Sequence, residues 1–134
     1  MRYLLALAAV LGGCAIVPGT APPAARTESV AVAGLMDGAS ADAAAGRFAS
    51  AAATLERALR IEPRDPRLWQ ELARVRLKQG DYAQAESVAA RSNTWAGDDS
   101  GLRAENWRLI AQAREARGDT AGARAALDTA ERQR

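Results

Sequence analysis

The residue types that serve common catalysis are scarce in this 134-residue chain, which has no histidine and a single cysteine, Cys14. Without histidine there is no imidazole base near neutral pH, and a lone thiol makes neither an intramolecular disulfide nor a cysteine-rich zinc site. Aspartate and glutamate are scattered along the chain instead of converging, and no phosphate-cradling loop, nucleophile elbow or metal motif is present. Asp98 and Asp99 beside Ser100 suit a helix cap better than calcium, which needs more oxygen ligands at a set spacing. The expectation is therefore a chain without catalytic residues, cofactor or metal, and not an enzyme. Lysine and arginine total 18 against 16 acidic residues, a net charge of +2. That balance gives no polybasic pull toward nucleic acid.

Cys14 takes its meaning from the residues before it. Arg2 precedes an uncharged, mostly apolar run from Tyr3 to Leu11, followed by Gly12 and Gly13. This is the layout of a secretory signal, and the run is too short for a membrane-spanning helix, which needs about 20 apolar residues. Leu11-Gly12-Gly13-Cys14 resembles the lipobox of bacterial lipoproteins. The resemblance implies removal of residues 1–13, a diacylglyceryl group on the Cys14 thiol, and acylation of the new amino group by a chain such as palmitate. Two or three acyl chains anchor stably, since each buried methylene contributes about 0.8 kcal/mol while one chain alone is marginal. A buried, inert cysteine behind an ordinary signal peptide is the plainer alternative. Loss of Arg2 with the signal lowers the charge from +2 to +1. Ala15 and Ile16, with no aspartate, imply by the same resemblance an outer-membrane address facing the periplasm.

Residues 14–31 read as the lipidated N-terminus and a flexible tether, because Pro18, Gly19, Pro22 and Pro23 interrupt small residues that cannot build a packed element. An ordered loop lying on the domain is the alternative. From residue 32 to 134 the pattern is helical. Hydrophobic residues make up 49% of the chain, but about half are alanine and aromatics are only 4%, so helices must pack closely through small side chains. Gly46-Arg47-Phe48, Gly80-Asp81-Tyr82 and Gly118-Asp119-Thr120 recur at intervals of 34 and 38 residues. Glycine ends a helix at low cost, and Asp81 and Asp119 are placed to cap the next one.

Around these turns, Trp69, Leu72, Ala73 and Ala85 recur as Trp107, Ile110, Ala111 and Ala123, with Phe48, Ala51 and Ala58 in an earlier unit. Leu68, Leu72 and Val75 form an apolar stripe at helical spacing. In this order and at this period the units resemble the tetratricopeptide repeat. The resemblance implies an all-α, right-handed solenoid of about three helix–turn–helix units. Three departures stand out. Gly34, Leu35 and Gly38 weaken the first unit, and the four extra residues of the longer interval are assigned to the connection around Trp95. The last unit also lacks a capping helix, which leaves Ala123, Ala126, Leu127 and Ala130 as a mild apolar face, exposed or docked on another copy.

In the family resembled, first helices line a peptide-binding groove. Mapped here they offer Arg67, Gln70, Arg74 and Lys78 from the second unit, and Arg108 and Gln112, with Glu105 and Glu115, from the third. Arg67, Arg74 and Lys78 lie seven and four residues apart on one helix face, and arginine forks can grip carboxylates in a bidentate way. A solvated face balanced by Glu71 and Glu86 is the alternative. Trp95 reads either as a contact residue or as a cover for the second unit. The function expected is that of a lipid-anchored envelope scaffold or adaptor, whose partner is another envelope protein or peptide segment. A pilotin-like assembly factor for an outer-membrane or pilus component is one alternative. A self-associating structural subunit is another, of a different class.

Overall fold

A computed structural model describes residues 23–133 of the chain, with side chains from residue 29 onward. Cys14, the signal segment and the first part of the tether lie outside the described residues. Six helices follow one another: α1 (Pro23–Ala44), α2 (Phe48–Ile61), α3 (Pro66–Lys78), α4 (Tyr82–Trp95), α5 (Ser100–Ala116) and α6 (Thr120–Arg132). Each odd helix pairs with the next, α2 packs on α3, α4 packs on α5, and α3 also reaches α5. The architecture is the all-α stack of three helix pairs that the repeats predict. No described helix is long and apolar enough to cross a membrane.

Helix α1 begins before the expected boundary at residue 32, so that residues 23–31, read from composition as tether, are helical. Pro23 is compatible with that start because the first helical turn needs no backbone N–H from it. Val32, 5% exposed, is the first buried residue among those described.

The three repeat turns share one backbone solution. Gly46, Gly80 and Gly118 have φ of 76°, 81° and 82°, a left-handed conformation that costs other residues roughly 1–2 kcal/mol. At the second turn the Gly80 amide donates to the Leu77 carbonyl at 3.1 Å and Asp81 donates to Arg76 at 3.0 Å. These bonds close the exposed end of α3 as a Schellman motif. Capping on the far side is uneven. Asp65, Asp99 and Asp119 each accept a backbone N–H at the start of α3, α5 and α6. Asp81 was expected to do the same for α4 and does not; its carboxylate instead lies 3.8 Å from the Arg76 guanidinium.

The extra residues of the third unit are not in its connection. Helix α5 has 17 residues against 13 in α3, and Trp95 is the last residue of α4. The insertion is one more helical turn at the start of α5. Two clusters form the core. The first joins Val32 and Ala39 of α1, Ala51, Leu55 and Ala58 of α2, and Leu68, Leu72 and Val75 of α3. The second joins Ala73, Ala89, Leu109, Ile110, Ala123 and Ala126 from α3 to α6. Alanines at the crossings bring backbones together, and the partly buried Trp69 and Trp107 pack against one cluster each. Of the face expected to lie open on the last helix, Ala123, Ala126 and Ala130 are buried, and Leu127 is left 48% exposed. The reason is geometric: three alanines at helical spacing let α6 lie flat on α5.

Candidate functional site

Part of the surface expected from the first helices is neutralised by its own carboxylates. Arg74 on α3 forms an ion pair with Glu71 and reaches Glu105 of α5 at 3.4 Å. Arg108 binds the other oxygen of Glu105 at 3.1 Å. The structure thus gathers Arg74 and Arg108, but around two carboxylates of the same face. Arg67, Lys78 and Gln112 are exposed. Gln112 faces a small apolar depression of about 230 Å³ beside Leu127. Glu86, expected to balance the strip, binds Arg114 and Arg117 instead, at 2.6 and 3.0 Å.

Gln70 leaves that surface altogether. It is 8% exposed, and its amide donates to Asn106 Oδ1 at 2.9 Å and to the Leu102 carbonyl at 3.3 Å. Asn106, with no exposed surface, donates in turn to Ser92 Oγ at 2.7 Å and Asn93 Oδ1 at 2.9 Å. The Ser92 hydroxyl donates to the Pro66 carbonyl at 2.7 Å. One buried polar network therefore ties α3, α4 and α5 together and fixes how the third unit sits on the second. Asn106 was not foreseen, although a signal existed. It precedes Trp107 as Leu68 precedes Trp69, so the repeat alignment puts an amide at a core position. Leu102, which accepts from Gln70, belongs to the added turn of α5.

A different opening has the character of a binding groove. It holds about 410 Å³ between α2 and α4, over α3, with Leu59, Pro63, Trp69, Leu72 and Val88 as its apolar wall. That volume is in the range of about 300–1,000 Å³ usual for ligand pockets. The Trp69 indole N–H donates to the Pro63 carbonyl at 2.8 Å, so the ring offers a visitor its surface and not its donor. Arg91 lies over the same ring, 5.2 Å from its centre, and Arg64 lies over Trp95 at the same distance. Both are cation–π contacts that hold a guanidinium in place without neutralising it. Arg60 and Arg76 also line the opening. Arg76 binds Glu56 of α2 at 2.5 Å, while its buried Nε has no acceptor among the described residues.

The tetratricopeptide repeat family matches residues 42–104 of the chain. Among solved structures, the globular C-terminal domain of P. aeruginosa LpoP is similar, with 48% identity and a TM-score of 0.74. The match covers 75% of this chain and 95% of that one. No curated protein matches the chain significantly. The three left-handed glycine turns, the paired helices closed by them and this degree of identity agree on one conclusion: the chain belongs to the tetratricopeptide-repeat family.

Proposed function

We propose that the chain is a lipid-anchored protein of the bacterial envelope that holds another envelope protein through its repeat domain. The observation that carries this reading is the likeness, at 48% identity, between its repeat stack and the globular domain of LpoP. The lipobox-like segment ending at Cys14 supports a lipid anchor, and Ala15 and Ile16 after it support an outer-membrane address with the domain in the periplasm. Tethering confines the search for a partner to the membrane surface and so raises its effective concentration without any new contact. The role proposed is binding, which the tetratricopeptide-repeat match over residues 42–104 and the likeness to the LpoP domain support.

Escort of an outer-membrane or pilus component is a narrower form of this role. Self-association has one observation in its favour, the exposed Leu127 beside a small apolar depression. Fractionation of cells carrying the chain or its Cys14→Ala variant tests the anchor. The parent should sediment with membranes and the variant should not; unchanged fractionation sinks the lipid assignment. Size exclusion of the detergent-solubilised chain across a concentration series separates adaptor from self-assembling subunit. A constant mass equal to one chain supports the adaptor.

A further inference from the structure

What sets one surface apart is uncommitted positive charge beside an apolar opening. On the first-helix face, Arg74 and Arg108 already hold Glu71 and Glu105, and the exposed Arg67 and Lys78 lie off the apolar groove. Around the groove between α2 and α4, Arg60, Arg64 and Arg91 have no carboxylate partner among the described residues. Arg60 lines the groove, Arg91 is held over its Trp69 wall, and Arg64 adjoins its Pro63. With Glu56 and Arg76 of its lining paired to each other, an apolar trough with unneutralised arginines at its edge is complementary to a ligand of opposite charge and matching apolar bulk.

We infer that this groove binds an acidic peptide segment of another protein, with one or two large apolar side chains seated against Leu59, Trp69, Leu72 and Val88 and carboxylates at the arginines. The inference rests on the binding role proposed above and gives it a place and a chemistry. Apolar side chains seated in the trough supply affinity, and the arginines supply orientation and association rate. Trp69 is suited to this task because its N–H is satisfied internally and its ring is stiffened by Pro63 and Arg91. The same arginines and tryptophan could also meet an anionic membrane, and the experiment separates that occupant.

The test uses the full-length chain in neutral detergent micelles and four fluorescent dodecapeptides: acidic with leucine and phenylalanine, acidic with serine in their place, neutral with leucine and phenylalanine, and basic. Vesicles of phosphatidylglycerol are the membrane probe. The acidic apolar peptide should bind best, and the Trp69 indole proton should shift on binding. Arg60→Glu with Arg91→Glu should weaken it at least ~10-fold, and added salt should weaken it as well. Arg60 and Arg91 are exposed, so these changes leave the core intact, which a circular dichroism melt checks. Arg74→Glu with Arg108→Glu should leave binding within about twofold. Equal affinity for the neutral peptide overturns the inference, as does binding lost through Arg74 and Arg108 but kept without Arg60 and Arg91. In that last case the binding role stands and only its place is lost. Binding of vesicles but of no peptide overturns both.

Discussion

Replacing Asn106 with alanine tests how the third unit is held on the second. Asn106 has no exposed surface and joins Gln70, Ser92 and Asn93 through bonds of 2.9, 2.7 and 2.9 Å. Each such bond contributes about 0.5–1.5 kcal/mol net, and a buried group left without a partner costs about 1–3 kcal/mol. Two of the partners are only partly stranded, since Gln70 retains the Leu102 carbonyl and Ser92 retains Pro66. The expected loss is therefore about 2–4 kcal/mol. In a repeat stack the stability of an interface is shared only between neighbours. The loss should accordingly appear as decoupling, with α5 and α6 unfolding ahead of α1 to α4. Urea titration followed through the separate indole signals of Trp69 and Trp107 reads both effects. Asn106→Leu should not restore stability, although unit two has Leu68 at this position, because Gln70 and Ser92 still lose their partner. Coincident transitions with a loss below about 0.5 kcal/mol, or full recovery with leucine, would refute the reasoning.

Other consequences are local. Gly80→Val should lower stability by at least about 1 kcal/mol, because φ there is 81°; an unchanged urea midpoint would contradict the left-handed turn. Gly38→Ala should raise the melting temperature, with a gain of up to about 1 kcal/mol, because the site is mid-helix with nothing within 4 Å of an added Cβ. A lower melting temperature would show that α1 is not a regular helix there. The Asp42 carboxyl is held below its ordinary 3.8, first by the Ser50 hydroxyl and then by Arg47. Its pKa falls on folding, so its contribution is complete above the unfolded value and disappears as pH drops through the depressed one. Ser50→Ala should raise the Asp42 midpoint in a carboxyl-carbon NMR titration, and no movement would remove Ser50 as the cause.

How much of this was readable from the sequence depends on whether a feature is local or shared. The turns at Gly46, Gly80 and Gly118 were readable because a left-handed residue between two helical runs is a local demand, and their spacing then implied the stack. The placement of the added turn was not. Asp99 beside Ser100 was readable as a helix cap and does cap α5, but Gly97, Asp98 and Gly101 carry the composition of a loop, and the helix absorbs the surplus instead. Asp81 shows the reverse, a residue of capping type that binds across the turn to Arg76 instead. For Gln70, spacing alone misplaced the side chain. Gln70 shares a helix with Arg67 and Arg74, but only contact with α5 reveals that its amide faces Asn106. The groove between α2 and α4 combines residues from three helices, so no single periodic stripe announces it.

The most direct test of the central claim, that the anchored repeat domain holds a protein partner in the groove between α2 and α4, is photocrosslinking in the living cell from a reactive residue placed at Val88 of the full-length chain. The account predicts a single adduct with a second protein in the membrane fraction. That adduct should disappear when Arg60 and Arg91 are changed to glutamate, and persist when Arg74 and Arg108 are. Absence of any protein adduct from Val88, or an adduct indifferent to all four arginines, would contradict it.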